Sequence, residues 1–366
     1  MPCYITRTAA YLPGSPVENE NIQLHLGSLD GEAETRDKVL TMNGIVRRHY
    51  AQDEQQQSTH DVYELGSRAT QDCLPEHLHG HLHDNPVTYL SADTTFAPLA
   101  APGFASILHH RLRTCSAMNH PVEIISHAGI CSSAATAMVA AIRAVSHGHH
   151  RTALAVGADH ASEILKASEI RPIDDRHEHT NLRNSRWFKS VFLRFMLSDG
   201  GGAVLLQNKP DPSRLSLRVN WTHSMSFAHE TPLCMQLESR TALSSQDIYV
   251  LSSHLVPSAT KFLGSEFESH DDTLDAHKMI LPHMSSFFFR RKMERVIARH
   301  SNDPQHPVPY WTNLATAGNT GAASIYIMLD HYLQECALDD GDRILLFVPE
   351  SGQFNFVLVS LTAVMP

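Results

Sequence analysis

The residue whose setting most favours covalent chemistry is Cys131, which lies in the segment His-Ala-Gly-Ile-Cys-Ser-Ser-Ala-Ala (127–135). An apolar strand pattern at 122–125 precedes it, and a helical pattern of apolar residues runs from 131 to 145. A cysteine at a helix N-terminus meets the positive end of the helix dipole, which favours the thiolate. The position therefore suits an acyl-accepting nucleophile. A buried cysteine that acts as a small apolar residue fits the local sequence equally well.

The other cysteines and the histidines give weaker signals. The six cysteines include no C-x-x-C pair, so we expect free thiols. Two of the stretches formed by the 26 histidines, 77–83 and 147–150, could suggest metal capture. Neither matches a recognised metal-binding motif of cysteines, carboxylates and helical histidines. We expect solvated loops there, with no metal and no cofactor.

Length, charge and hydropathy exclude several classes of protein. The formal net charge of −10 disfavours nucleic-acid binding, which needs a basic face. No apolar run approaches the roughly 20 residues that span a bilayer. The N-terminal residues lack the basic-then-apolar pattern of a secretory signal. We therefore expect a cytoplasmic protein with no membrane partner.

The chain shows strand patterns that alternate with helical patterns, which predicts an α/β fold with a largely parallel sheet. Pro210-Asp211-Pro212 suggests a boundary between two halves, 1–209 and 210–366. The basic segment from about 163 to 194 departs from this alternation. It is either an insertion that walls a binding tunnel or a solvated surface excursion. The predicted strands are 87–90, 122–125, 153–156, 203–206, 279–281, 343–348 and 354–361, and the predicted helices 103–113, 131–145, 285–299 and 322–333.

Several segments in order along the chain resemble the ketoacyl synthase III-like branch of the thiolase superfamily. Residues 43–48 (Asn-Gly-Ile-Val-Arg-Arg) resemble its "T-G-I-x-x-R" element, and 197–203 (Leu-Ser-Asp-Gly-Gly-Gly-Ala) its "G-D-G-A-G-A" turn. Residues 281–283 (Leu-Pro-His) are similar to "V-P-H-Q-A-N", and 318–324 (Gly-Asn-Thr-Gly-Ala-Ala-Ser) to "G-N-T-S-A-A-S". The resemblance implies a thiolase fold: two pseudo-symmetric βαβαβαββ halves in a layered α-β-α-β-α sandwich. It also implies a homodimer.

The resemblance assigns roles to three residues. Cys131 would carry the first acyl group as a thioester. His283 and Asn319 would donate hydrogen bonds to the carbonyl of the incoming extender and so stabilise its enolate. Without the resemblance, His283 could be a helix cap and Asn319 a turn residue.

Departures from the family pattern refine this hypothesis. His283 is followed by Met-Ser-Ser-Phe-Phe-Phe rather than by Gln-Ala-Asn, and Lys38 and Met42 replace a Trp and an Arg expected to contact coenzyme A. Acyl groups on a carrier protein are therefore favoured over coenzyme A thioesters. The sequence is most similar to a subgroup that joins two thioesters into a 2,5-disubstituted cyclohexane-1,3-dione, a precursor of dialkylresorcinols or stilbenes. An ordinary β-ketoacyl-carrier-protein synthase III of fatty-acid or polyketide initiation, or an acyltransferase that forms no C–C bond, remains an alternative.

Basic residues offer candidate docking positions. Arg290, Arg291 and Lys292 follow His283 on one predicted helix and could bind an acidic carrier protein, although a solvated helix face is equally compatible. Arg194 could pair with a substrate carboxylate.

Other classes of protein fit less well. A degradative thiolase needs a second cysteine as base in the last loop, and residues 350–354 contain none. Plant-type polyketide synthases carry a Gly-Pro-rich C-terminal loop that is missing here. A papain-like protease places its cysteine in a different context. A non-condensing partner subunit usually lacks the nucleophile.

Overall fold

The computed structural model describes residues 1–74, 85–181, 185–239 and 243–366. The histidine-rich stretch 77–83 lies outside the described residues. Nine strands form the main sheet. They are β1 (Tyr4–Tyr11), β2 (Tyr89–Thr94), β3 (Glu123–Ala128), β4 (Thr152–Asp159), β5 (Gly200–Gln207), β6 (Ser216–Ser226), β7 (Met279–Pro282), β8 (Arg343–Pro349) and β9 (Asn355–Val364).

The longer helices pack on both faces of this sheet. They are α1 (Ala33–Asn43), α2 (Val62–Cys73), α3 (Phe104–Arg111), α4 (Ser133–Ser146), α5 (Arg186–Arg194), α6 (Ile248–Ser269), α7 (Arg290–His300) and α8 (Ser324–Glu335). Single turns of α-helix occur at Ile22–Leu26, Ala161–Ile164, Ala167–Ile170 and Leu314–Ala317. Two short antiparallel pairs, Val17–Glu18 with Arg47–Arg48 and Met235–Glu238 with Leu243–Gln246, lie outside the main sheet.

The strands predicted from apolar runs are present. The predictions at 87–90, 122–125, 153–156, 203–206, 279–281, 343–348 and 354–361 overlap β2, β3, β4, β5, β7, β8 and β9. Strand β6 and helix α6 were not predicted, because β6 is only partly buried and mixes polar and apolar residues without a clear period. Within the described ranges, no helix combines the length and the apolar character needed to cross a membrane.

The strand order is β7-β8-β9-β6-β1-β5-β4-β2-β3. Strands from residues 1–209 occupy one side and those from 210–366 the other. The two groups meet where β1 pairs with β6, at Tyr4 with Arg218 and Ile5 with Leu217. The division of the chain into two halves at 209 and 210 stays a prediction, and it coincides with the link between β5 and β6.

The sheet is mixed, so the expectation of a largely parallel sheet is wrong. Only the pairs β7–β8, β4–β2 and β2–β3 are parallel, and the other five are antiparallel. One reason lies in the connection from β8 to β9, which is formed by residues 350–354 alone. A link this short can only reverse the chain, since a parallel return needs a crossover of a dozen or more residues.

Alternate residues of a strand point to opposite faces of the sheet and pack into different hydrophobic cores. The cores on the two faces separate the sheet and the helices into layers. In β8, Ile344 and Leu346 pack into the core that holds α4 and α8, whereas Leu345 and Phe347 face the core that holds α6 and α7. A third core packs α2 and α3 on strands of the first half. Helices α4 and α8 therefore lie between strands of both halves, as in the layered thiolase architecture.

Candidate active site

Cys131 lies in the turn that joins β3 to α4. The backbone N–H and the Oγ of Ser133 both donate to the carbonyl of Ile130 at 2.8 Å, which closes the turn around the cysteine. Helix α4 begins at Ser133, two residues later than the sequence pattern predicted. The Cys131 side chain is only 6% exposed, so a substrate must reach it through a channel.

The thiol of Cys131 is protonated at neutral pH in the resting protein. Burial raises its pKa strongly, and the charges of Glu350, Asp159 and Asp93 raise it further. This result corrects the expectation that the helix dipole favours a thiolate. Desolvation and three nearby carboxylates outweigh the dipole, so nucleophilic attack requires a proton acceptor.

Cys131 and Asn319 line the same enclosed cavity, whose volume is about 40 Å³. The cysteine comes from the first half of the chain and the asparagine from the second. Much of the remaining wall is apolar and includes Ile130, Ile164, Leu193, Met196 and Leu197. The structure therefore brings together two of the three residues that the sequence singled out, in a setting suited to an acyl chain.

The orientation of the Asn319 carboxamide follows from its contacts. Its backbone N–H donates to the carbonyl of Met196 at 3.3 Å, and its carbonyl accepts from the N–H of Ser198 at 2.8 Å. The side-chain Oδ1 accepts from the N–H of Gly321 at 3.1 Å. Because a backbone N–H can only donate, this contact identifies the oxygen and leaves Nδ2 as the donor. No hydrogen bond from Nδ2 is formed within the described part of the chain.

Asp159, at the end of β4, fixes the turn that follows Asn319. Its carboxylate accepts from the N–H of Ala322 at 2.6 Å and from the N–H and the Oγ1 of Thr95 at 2.7 and 2.8 Å. Gly321 has a φ of +56°, and a Cβ there would lie 2.0 Å from Asp159 Oδ2. The turn therefore requires glycine. Burial raises the pKa of Asp159 to about 6.

His283 directly follows β7 and is buried. Its N–H donates to the carbonyl of Phe347 at 2.8 Å, and its Nε2 has no hydrogen-bond partner among the described residues. Burial lowers the pKa of the imidazole to about 4, so the ring is neutral at pH 7. Ser285, two residues further on, lines the Cys131 cavity, but His283 itself is not part of that lining.

Sequence reasoning missed Asp159 as a site residue and gave Glu350 no role. Glu350 Oε2 accepts from Ser132 Oγ at 2.6 Å, and its Oε1 accepts from the N–H of Gln353 at 3.2 Å. The position of Asp159 at the carboxyl end of a buried strand, next to a parallel neighbour, was a usable signal. No local pattern marks Glu350, because its proximity to Cys131 depends on the pairing of distant strands.

Comparisons with known proteins agree with this arrangement. Residues 124–211 match the model of the beta-ketoacyl synthase, N-terminal domain, family. The chain is 21% identical over 334 residues to the Beta-ketoacyl-[acyl-carrier-protein] synthase III of Acholeplasma laidlawii, covering 91% of this chain and 90% of that relative. The structure is similar to that of AbyA1, a tetronic acid condensing enzyme (TM-score 0.73, 17% identity, 98% and 99% of the two chains). It is also similar to OleA from Xanthomonas campestris (TM-score 0.74, 16% identity, 99% and 98%).

The chain has the fold of ketoacyl synthase III-like condensing enzymes. Its fold is the thiolase fold, as the sequence resemblance implied. The similarity extends over nearly the whole chain, including the segments that carry Cys131, His283 and Asn319.

A second, larger cavity lies beside the first. Its volume is about 450 Å³, and Met196 lines both cavities. Lys38 and Met42, which depart from the family pattern, lie in the wall of the larger one. Helix α5 of the predicted insertion contributes Phe188 and Phe192 to the same wall and Leu193 to the Cys131 cavity. The insertion therefore forms part of both cavities and is not a solvated excursion.

Arg194 has a structural role and does not face either cavity. Its side chain is fully buried and donates to the Glu32 carboxylate, to the carbonyls of Leu26 and Gly27, and to that of Leu165 at 2.9 Å. This corrects the expectation that Arg194 pairs with a substrate carboxylate, because its guanidinium is already engaged inside the protein.

The predicted docking residues do not form one patch. Arg290 pairs with Glu294 at 3.0 Å and lines an open groove together with Arg291. Lys292 instead lies over the rings of Phe288 and Phe289, with Nζ 5.7 and 5.5 Å from their centroids. Those two rings line the 450 Å³ cavity, so Lys292 lies close to that cavity.

Proposed function

We propose that this protein is a ketosynthase that joins two acyl or β-ketoacyl thioesters by Claisen condensation through an acyl group on Cys131. The product would be a 2,5-disubstituted cyclohexane-1,3-dione, the precursor of a dialkylresorcinol or stilbene. The observation that carries the proposal is the shared buried cavity of Cys131 and Asn319. A relative named as a carrier-protein synthase and a structural neighbour named as a condensing enzyme support the reaction class.

His283 and Asn319 have the properties that enolate stabilisation requires. A neutral imidazole can donate a hydrogen bond from Nε2 without transferring its proton, and the low pKa of His283 keeps the ring neutral. Asn319 offers its Nδ2 amino group. Two such donors aimed at a thioester carbonyl oxygen would stabilise the negative charge that develops there, and each is worth several kcal/mol in a water-excluded site.

The two cavities suit a reaction between two acyl chains. The Cys131 cavity is enclosed and largely apolar, and the larger cavity adjoins it at Met196. We assign the first acyl group to the inner cavity and the second thioester to the outer one. A second condensation or a Michael-type closure between the same two chains would then form the ring.

Mass spectrometry of the products tests this proposal. Purified protein is given pairs of acyl and β-ketoacyl carrier-protein thioesters, with Cys131→Ala as the inactive variant and Cys336→Ala as a matched thiol control. A cyclised product from the wild-type protein and from Cys336→Ala supports the proposal. A linear β-ketoacyl product would identify an ordinary synthase III, and acyl transfer without a new C–C bond would refute condensation.

We propose that an acyl carrier protein is the donor and that Arg290 and Arg291 bind its acidic surface. Both arginines line an open groove on α7, which is accessible to a protein partner. The double variant Arg290→Glu, Arg291→Glu should raise KM for a carrier-bound thioester and leave KM for the same acyl group on pantetheine unchanged. Arg113→Glu, at another exposed arginine, serves as the control.

We propose that the enzyme is a homodimer that pairs through β3. This strand is the last of the sheet, and its residues Ile124 and Ile125 are each 38% exposed. An exposed edge strand with apolar side chains favours pairing with another strand. Light scattering should give about twice the chain mass of 40.7 kDa. Ile124→Lys should give the monomer, and a wild-type monomer would contradict the proposal.

A further inference from the structure

Among the described residues, three carboxylates lie close enough to Cys131 to raise the pKa of its thiol: Glu350, Asp159 and Asp93. Both oxygens of the Asp159 carboxylate already accept hydrogen bonds, from Ala322 and from Thr95, and so hold the surrounding backbone in place. Asp93 is fully buried without access to solvent, and burial raises its pKa well above the usual range.

Glu350 differs from the other two in exposure and in free acceptor capacity. Its side chain is half-buried, so it can exchange a proton with solvent. Among the described residues, each of its oxygens accepts one hydrogen bond, from Ser132 Oγ at 2.6 Å and from the N–H of Gln353 at 3.2 Å. Ser132 follows Cys131 directly, and Ser351, the neighbour of Glu350, lines the Cys131 cavity.

We propose that Glu350, in the reaction proposed above, is the general base that removes the α-proton of the second thioester. Glu350 belongs to the last loop, in which a degradative thiolase would place its basic cysteine. A carboxylate at this position would supply a proton acceptor, since Cys131 carries the acyl group in this step and His283 is assigned as a hydrogen-bond donor. The substrate class that follows is an acyl thioester activated by proton loss and not a malonyl thioester activated by loss of CO2.

The step is balanced without any further reagent. Glu350 takes the proton from the α-carbon, and the C–H electron pair forms an enolate held by His283 and Asn319. The enolate carbon attacks the thioester carbonyl on Cys131, a C–C bond forms, and the bond between that carbonyl and the Cys131 sulfur breaks. The departing Cys131 thiolate then takes the proton from Glu350, which restores both groups.

Glu350→Gln tests the assignment, because glutamine keeps the acceptor for Ser132 but cannot take a proton. Condensation of non-malonyl thioesters should fall by about 10²–10⁴-fold, the range for loss of a general base. Condensation with the matching malonyl thioester should fall far less, since decarboxylation supplies the enolate. Deuterium uptake at the α-carbon in D2O should also be lost. Glu335→Gln, at an exposed glutamate, is the control.

The outcomes separate this inference from the proposed function. If wild-type Cys131 is not acylated by any thioester, the proposed function fails. A different result would refute only the role of Glu350. In that case wild-type Cys131 is acylated and condensation is normal, but Glu350→Gln slows malonyl and non-malonyl reactions equally or slows neither. Glu350→Asp should restore part of the rate if the carboxylate acts as a base.

A separate observation concerns a cluster formed by His223 on β6 with Glu266 and His270 at the end of α6. One nitrogen from each imidazole and one carboxylate oxygen lie within 4.8 Å of one another. His223 Nδ1 is 2.7 Å and His270 Nε2 is 3.9 Å from Glu266 Oε2. The ring of Trp221 stacks on that of His270, with the ring centroids 4.5 Å apart.

The cluster contains a carboxylate oxygen that is buried without a hydrogen bond. Glu266 is 2% exposed, and its Oε2 has no hydrogen-bond partner among the described residues, despite its short contact with His223. His270 Nε2 is likewise buried and unpaired within the described ranges. The Glu266 oxygen therefore lies near two imidazole nitrogens but forms no hydrogen bond with either. Ligands around a cation are arranged in this way.

We infer that His223, Glu266 and His270 bind a divalent transition-metal ion of the zinc type. Two imidazoles and one carboxylate form a known zinc ligand set, with ligand atoms about 2.0–2.2 Å from the ion. Small rotations of the two half-buried histidines would bring all three atoms within that range. The ion would tie the end of α6 to β6. No sequence pattern predicted this site, because His223 lies 43 residues before Glu266.

Calorimetric titration with ZnSO4 and absorption spectra with Co2+ test the site in the full-length protein under reducing conditions. One equivalent should bind, and His223→Ala and His270→Ala should each weaken affinity by at least about tenfold. His229→Ala, at an exposed histidine next to β6, should bind normally. Absence of binding, or equal binding by wild type and both variants, as would occur at cysteine thiols, overturns the inference.

Discussion

The carboxylate of Asp159 accepts a hydrogen bond from the backbone N–H of Ala322 at 2.6 Å, and this contact joins the two halves of the chain at the candidate active site. Asp159 ends a strand of the first half, and Ala322 follows Asn319 in the second. Asp159 thereby fixes the backbone next to Asn319 relative to Cys131. The site therefore depends on a positioning residue as well as on Cys131, His283 and Asn319.

Asp159→Asn should weaken both stability and condensation. The amide replaces one acceptor oxygen with a donor that faces donors, so we expect a loss of about 1–3 kcal/mol of unfolding free energy. Condensation should fall because Asn319 shifts, while acylation of Cys131 should change less. Denaturant unfolding and single-turnover acylation measure the two effects. An unchanged condensation rate would contradict the positioning role.

The pH dependence of stability should also change in Asp159→Asn. The pKa of Asp159 is about 6 in the folded protein and about 4 when unfolded. Between these values the folded state binds more protons, so this group lowers stability as pH rises from about 4 to 6. The difference in unfolding free energy between wild type and variant, measured across that range, should show this slope.

His283→Ala should abolish condensation and leave the acyl-enzyme intact. Loss of one donor to a developing oxyanion costs about 10²–10³-fold in rate. Intact-protein mass spectrometry should then show acylated Cys131 accumulating. Loss of acylation itself would assign His283 to the first step instead.

The low pKa of His283 predicts a second effect on stability. Because its pKa is about 4 when folded and about 6.5 when unfolded, the unfolded chain binds more protons between these values. The contribution of His283 is complete above pH 6.5 and is lost as pH falls towards 4. Unfolding of wild type and His283→Gln as a function of pH measures it, and parallel curves would contradict it.

Alkylation of Cys131 by iodoacetamide should be slow at neutral pH and should accelerate as pH rises. The reason is the raised pKa of the thiol, since the thiolate is the reactive form. Glu350→Gln removes a nearby negative charge and should lower this pKa, so its alkylation should be faster than that of wild type. Peptide mapping identifies the modified cysteine. Rapid wild-type alkylation at pH 7 would contradict the protonated resting state.

Arg194→Met should destabilise the fold by about 3–5 kcal/mol, because it leaves the Glu32 carboxylate buried without its partner. Arg299→Met, at an exposed position, should have little effect. Chemical denaturation compares the two variants. If Arg194 bound substrate instead, KM would rise without a loss of stability.

Much of the fold was readable from the sequence, because apolar runs mark strands wherever a strand is buried on both faces. The runs that became β4, β5, β8 and β9 were assigned this way. Strand β6 and helix α6 were not predicted, since β6 is only partly buried and α6 mixes serines with apolar residues and contains Pro257. The orientation of neighbouring strands was not readable, because pairing depends on contacts between distant segments.

The sequence by itself determined the order of segments that resemble the family, and with it the thiolase fold and the identities of Cys131, His283 and Asn319 as candidates. Only the tertiary structure decided their chemical states. The protonation of the Cys131 thiol depends on carboxylates at positions 93, 159 and 350, which are far apart in the chain. Burial likewise made Arg194 structural and kept His283 neutral. Electrostatic energies depend on separation in space and on solvent exposure, and neither is encoded locally.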